Sequence, residues 1–236
     1  MRLQSYCNRK SKRGCKTTSA VNLGAGLIRQ GKRVLVIDAD PKGSLTISLG
    51  IKNPDKLNST LANVMQSIVE DKESTSGFCF FKTEEEIELM PSNIELSGIE
   101  IRLVNKMSRE RVLKTYVDTV RIKYDYIIID CMPSLGMMTF NALCAADSVI
   151  IPTQLEFLSV KGLDQLLSII NRVRKHINSN LKVNGLLITM VDVRTRLGRG
   201  FISVIRRYYG KSPGVFNTVI PVGKSERSNC EWCKCV

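Results

Sequence analysis

Two continuous apolar runs, each closing on a carboxylate, restrict the folding of this chain more than any other feature. The first, Arg33-Val-Leu-Val-Ile-Asp-Ala39, follows a helical stretch over residues 20–30 that stops at Gly31. The second is Tyr124-Asp-Tyr-Ile-Ile-Ile-Asp130. Neither alternates apolar with polar residues, so both faces of each strand must be covered, as in a parallel sheet flanked by helices. Ser148-Val-Ile-Ile-Pro152 and Gly185-Leu-Leu-Ile-Thr-Met-Val191 read the same way, and helical patterns lie between the runs, over residues 99–122, 138–146, 160–177 and 200–209. Strands alternating with helices predict an α/β fold: a doubly wound, mostly parallel sheet with helices on both faces. Residues 53–83 are polar and irregular apart from a helix around 61–70, and read as a surface excursion. The expected organisation is one domain over residues 1–221, atypical in 1–15, followed by an atypical tail over 222–236.

In such a sheet, ligands collect at the carboxyl ends of the strands. The acids there are Asp38 and Asp40 after one strand and Asp130 after another. Gly14-Cys15-Lys16-Thr17-Thr18 leads into the first helix. A Lys-Thr pair at a helix N-terminus can reach phosphate oxygens with its ammonium and ligate Mg²⁺ with its hydroxyl. A strand-end carboxylate such as Asp130 can hold that magnesium through water. Alone, each acid is an ordinary helix cap. Together with Lys16, Thr17 and Thr18 at the same end of the sheet, they make a nucleotide–Mg²⁺ site and give the sheet the P-loop NTPase type.

Charge adds a second theme. Thirty-five Lys and Arg against 22 Asp and Glu leave a net charge of +13, while 43% hydrophobic residues suffice for a core and exclude a disordered chain. Residues 1–16 hold Arg2, Arg9, Lys10, Lys12, Arg13 and Lys16 without an acid. A second run carries Arg194, Arg196, Arg199, Arg206, Arg207 and Lys211, opposed by Asp192 and interleaved with Phe201, Tyr208 and Tyr209. Such a run fits a phosphate backbone through counterion release, and equally a solvated helix face; the overall charge weighs toward nonspecific nucleic-acid contact. No apolar run reaches the ~18–20 residues of a membrane span, and the N-terminus lacks a secretory h-region, so the cytoplasm is the expected compartment. Of eight cysteines, Cys131 and Cys144 sit among apolar residues as small hydrophobes. Cys230, Cys233 and Cys235 cluster in the tail, but a tetrahedral metal site needs a fourth ligand and the single histidine, His176, is remote in sequence.

The residues as a set resemble the ParA/MinD (Soj-like) ATPases of chromosome and plasmid partitioning, which carry a deviant Walker A loop. Lys16-Thr-Thr-Ser-Ala-Val-Asn-Leu-Gly-Ala-Gly-Leu27 and Gly31-Lys-Arg-Val-Leu-Val-Ile-Asp-Ala-Asp-Pro-Lys-Gly-Ser-Leu-Thr46 are similar to the family's first motif, helix and switch region. Tyr124-Asp-Tyr-Ile-Ile-Ile-Asp-Cys-Met-Pro-Ser-Leu-Gly136 resembles its Walker B block, and Asn141-Ala-Leu-Cys-Ala-Ala-Asp147 the helix that follows. The likeness runs from about Lys16 to Pro221. It implies an ATP hydrolase that forms an ATP-dependent homodimer, binds DNA nonspecifically on the nucleoid, and is stimulated by a ParB-like adaptor. It also implies roles. Lys16 contacts the phosphates, with Gly14 and Thr18 as further nucleotide contacts; Thr17 and Asp130 hold Mg²⁺; Asp40 orients the attacking water; Asp192 lies where the family often reads adenine. The basic run 194–211 falls where family members place DNA-contacting side chains. A MinD-like membrane branch would need a C-terminal amphipathic helix, which the tail from Val222 does not spell. An iron–sulfur relative would need a second cysteine to match Cys131.

The likeness breaks at both ends. The family loop reads Lys-Gly-Gly-x-Gly-Lys-Thr, and counting back from Lys16 puts Ser11 at the signature lysine and Lys12, Arg13 and Cys15 at the glycines. Gly14 occupies the variable position. Those glycines let backbone N–H groups approach phosphate, and the signature lysine reaches across the dimer to the partner's ATP. The alternative expectation is therefore a catalytically impaired ParA-like module that binds DNA or intact subunits. Upstream, Leu3 is the one aliphatic residue of Arg2 to Lys12, and no central parallel strand is expected from Gln4-Ser5-Tyr6-Cys7-Asn8-Arg9-Lys10. Loss of family-like sequence at both ends around a clean interior is the pattern that flanking frameshifts leave. Translating the neighbouring frames of the coding DNA would restore an apolar strand and a terminal helix if that is the origin.

Overall fold

The computed structural model describes residues 2–5, 15–72, 80–83, 86–104, 106–132, 134–154 and 157–222, with backbone alone for 2–5, 15 and 157–161. Along the chain these form β1 (Arg2–Ser5), α1 (Cys15–Arg29), β2 (Val34–Ala39), α2 (Ser44–Ser48), α3 (Leu61–Val69), β3 (Phe81–Lys82), β4 (Glu88–Met90) and α4 (Glu95–Leu103). The second half adds α5 (Val112–Val120), β5 (Tyr126–Cys131), α6 (Met137–Ala145), β6 (Ser148–Thr153), α7 (Phe157–His176), β7 (Lys182–Val191), α8 (Arg196–Tyr209) and β8 (Val215–Pro221). The strands build one eight-stranded sheet in the order β3-β4-β2-β5-β1-β6-β7-β8. Every pairing is parallel except the β3–β4 edge. The chain winds one way as far as β5, then crosses β1 to begin the other half at β6. That reversal is where doubly wound sheets open a crevice.

The two apolar runs behave as their composition requires. Along β2, Val34 and Val36 face a layer with Ala20, Leu45, Leu49 and Ile128, while Leu35 and Ile37 face the larger core with Leu61, Met65, Leu113 and Ile129. Each fully buried Leu or Ile there is worth about 1.5–3 kcal/mol over exposure. Gly24 lets α1 lie close on the sheet: a Cβ there would sit 3.3 Å from Val36 Cγ2.

Several sequence expectations are corrected. Arg2–Ser5 is a central parallel strand, paired on one side with β5 from Arg2↔Ile127 to Ser5↔Asp130 and on the other with β6. Ladder hydrogen bonds come from the main chain, so an aliphatic sequence is not required when β5 and β6 already supply the apolar faces. Tyr6 to Lys10 lie outside the described residues. The helical pattern over 99–122 is two helices, interrupted where Ser108 takes a left-handed φ of 52°. Asn141 of α6 bridges the break: its Oδ1 accepts the Leu113 N–H at 3.0 Å and its Nδ2 donates to Arg109 O at 2.8 Å. Residues 61–69 are no surface excursion, since Leu61, Ala62, Val64 and Met65 are buried in the main core. The short or edge strands β3, β4 and β8 carry too little continuous apolar sequence to be read in advance. Cys131 and Cys144 are buried free thiols, and the tail cysteines lie outside the described residues. No described helix is long and apolar enough to cross a membrane.

Candidate functional site

α1 begins at Cys15, so Lys16, Thr17 and Thr18 sit in its first turn rather than ahead of it. The first-turn N–H groups of a helix have no intrahelical partner and carry the positive end of its dipole. No acidic side chain occupies that turn in α1. Lys16 is buried, and its Nζ donates to Cys131 O at 2.9 Å, at the carboxyl end of β5. Thr17 Oγ1 donates to Asp130 Oδ2 at 2.7 Å. The other oxygen, Asp130 Oδ1, is buried with no hydrogen-bond partner among the described residues. Thr18 is exposed, and its carbonyl accepts from Asn22 Nδ2 at 2.8 Å.

Asp38 lies directly across the β2–β5 ladder from Asp130. Burial pushes the Asp130 carboxyl up to about 7, and the neighbouring Asp38 adds to it, while the Thr17 hydroxyl and Lys16 ammonium pull the other way. Burial also raises Asp38, to about 6, against the bonds it receives from Thr46 and Asp40. A dry carboxylate with one open oxygen, beside a threonine hydroxyl and an ammonium, is short of positive charge. The donor set fits a hard divalent cation, which takes oxygen ligands, and the phosphates it accompanies. Asp40 stands just beyond, half-buried, with Oδ1 accepting the Lys42 N–H at 3.0 Å.

The structure thus brings Lys16, Thr17, Asp40 and Asp130 to one end of the sheet. Gly14 lies outside the described residues. Asp192 follows β7, two strands from β1 and so about 10 Å across the sheet. Its carboxylate is clasped by Arg194, through the backbone N–H and through Nε and Nη2 at 2.9 Å each, which hold it down at about 2. The remaining basic residues lie on or beside α8. At 3.6 residues per turn Arg196, Arg199, Arg206 and Arg207 fall within an arc of about 100°. All four are exposed, as is Lys211; Arg206 also donates to Asn217 O at 3.0 Å. Sequence reasoning missed the use of Asp38, which Thr46 and Ser92 explain, and the Cys131 carbonyl as the seat of Lys16. A carbonyl carries no signal in a sequence.

A parallel sheet with Lys-Thr in the first helical turn and a buried acid closing the adjacent strand defines a P-loop nucleoside triphosphatase. An AAA domain family model matches residues 3–183. The sporulation initiation inhibitor protein Soj of Bacillus subtilis (strain 168) is 44% identical over 206 residues, covering 87% of this chain and 79% of that protein. The chromosome-partitioning ATPase Soj of Treponema pallidum (strain Nichols) is 37% identical over 218 residues, covering 92% and 81%. Among solved structures, cobyrinic acid a,c-diamide synthase from Mycobacterium smegmatis with bound ATP analogue and magnesium superposes with a TM-score of 0.84 at 37% identity, over 95% of this chain and 88% of that one. The chain belongs to the ParA/MinD family of partitioning ATPases.

Proposed function

We propose that this chain binds Mg²⁺-ATP between the first turn of α1 and the ends of β2 and β5, dimerises on ATP, binds DNA nonspecifically and is stimulated by a ParB-like adaptor. The observation that carries the reading is the Lys16–Thr17–Asp130 group with its one open, buried carboxylate oxygen. The Mycobacterium smegmatis structure, which holds an ATP analogue and magnesium, supports the choice of ligand. Magnesium would supply neutralisation of phosphate charge. Lys16 would exchange the Cys131 carbonyl for phosphate oxygens, Thr17 and Asp130 would hold the cation, and Asp40 would orient water for attack. The exposed arginine arc of α8 supports the DNA face and, through it, a place on the nucleoid.

Titration with a fluorescent ATP analogue and Mg²⁺ tests the site. Lys16→Ala is expected to weaken binding roughly 100-fold, the value of losing charge-assisted contacts to phosphate. Equal affinity in the variant and the parent would remove the site from α1. For the DNA face, Arg206→Glu with Arg207→Glu is expected to weaken binding alike across sequences and to lower the salt-dependence slope by about 2. Full affinity of that variant at low salt would sink the assignment.

A second reading, an impaired ParA-like module, is favoured by one observation: Ser11, Lys12, Arg13 and Cys15 stand where the family carries its lysine and glycines. ATP-dependent dimerisation, followed by light scattering, separates the two.

A further inference from the structure

The two strand-end acids are chemically alike and register partners, yet their hydrogen-bond states are opposite. Asp130 keeps one oxygen open. Asp38, fully buried, spends both of its oxygens inside the chain. Its Oδ1 accepts the Asp40 N–H at 3.1 Å, and its Oδ2 accepts the Thr46 N–H at 2.9 Å and the Thr46 hydroxyl at 2.7 Å. The Thr46 hydroxyl oxygen accepts in turn from the Ser92 N–H at 3.0 Å. Ser92 belongs to the loop that follows β4 and opens α4, and Pro91 O in that loop accepts the Leu61 N–H of α3 at 2.8 Å.

The same two loops approach each other closely at a second point. Gly43, between Asp40 and α2, has a left-handed φ of 60°, and a Cβ there would lie 3.0 Å from Ser92 O. Its N–H donates to Asp40 O at 2.9 Å. The segment from Asp40 to Thr46 is therefore held at its start by Asp38 and at its end by Thr46, and its middle passes close to Ser92. With both oxygens engaged and three of its roughly four acceptor sites taken, Asp38 has less to offer a cation than Asp130.

We infer that Asp38 and Thr46 are positioning residues, which lock the loop carrying Asp40 to the loop that opens α4. The inference rests on the reading of Asp40 as the acid that orients water. Deformation of either loop then moves the other, and with it the Asp40 carboxylate.

The test uses the full chain with Thr46→Val, which keeps the shape and loses the hydroxyl, and Thr46→Ser, which keeps the hydroxyl. In hydrogen–deuterium exchange without nucleotide, amides over 38–46 and over 88–94 are expected to exchange roughly tenfold faster in Thr46→Val. Amides over 182–191 stay at parent rates, and Thr46→Ser restores the parent pattern. Faster exchange over 38–46 alone overturns the link between the loops. Loss of protection throughout, repeated in the smaller Thr46→Ala, overturns it too, because Thr46 is then a general packing residue. On the same proteins, ATP turnover is expected to fall roughly tenfold in Thr46→Val with Mg²⁺-ATP affinity changed by less than about threefold. Equal loss of affinity and turnover overturns the positioning role. A parent chain that binds no ATP refutes the proposed site instead, and the exchange comparison still decides whether the loops are linked.

Discussion

Ser11→Lys combined with Lys12→Gly, Arg13→Gly and Cys15→Gly is expected to raise ATP turnover by roughly 10³-fold or more. That is the low end of what a cationic finger supplied across a phosphoryl-transfer site contributes. The change restores Lys-Gly-Gly-x-Gly-Lys-Thr around Gly14, Lys16 and Thr17. Two effects combine in it. By the family resemblance, glycines at these positions let backbone N–H groups approach phosphate, and the lysine would add a charge directed at the partner's ATP in the proposed dimer. Ser11→Lys alone is expected to gain little, because Lys12, Arg13 and Cys15 still stand where the family carries glycines. Phosphate release under saturating Mg²⁺-ATP measures both variants. Equal turnover in the parent and the fully restored chain would make the unusual loop a working variant and remove the impaired-module reading.

Asp40→Asn carries the other large effect, a fall in turnover of roughly 10²–10⁴ at nearly constant Mg²⁺-ATP affinity. The amide oxygen can still accept the Lys42 N–H that Asp40 Oδ1 accepts at 3.0 Å, so the loop keeps its shape. What disappears, on the proposed role of Asp40, is the carboxylate that would aim a water at the γ-phosphate. Because Lys16, Thr17 and Asp130 bond to one another's segments and not to Asp40, nucleotide binding is largely spared. A matching loss of affinity and turnover would place Asp40 on the nucleotide itself and remove its role in orienting water.

Much of this architecture was legible from the order of residues. The strands buried on both faces, β2, β5, β6 and β7, announce themselves as continuous apolar runs, and the Lys16-Thr17 pair and Asp130 mark the end of the sheet proposed to bind nucleotide. β1 was not legible, because its place in the ladder depends on main-chain bonds to β5 and β6 and on nothing its own side chains advertise. Nor was the difference between Asp38 and Asp130. Both end an apolar run, and only three-dimensional partners separate them: Thr46, eight residues from Asp38, and Ser92, a further 46 along the chain. Composition likewise hid the break at Ser108, where apolar residues on both sides keep a helical rhythm through a left-handed turn.

The central place of β1 has a mechanical meaning. Arg2–Ser5 splices two half-sheets, β3-β4-β2-β5 on one flank and β6-β7-β8 on the other. The proposed nucleotide groups stand on the first flank and the exposed arginines of α8 on the second. Among the described residues, the sheet passes from one flank to the other through β1, so stiffness shared between the flanks within the sheet runs through its ladder bonds to β5 and β6, and otherwise through the helices laid across the join.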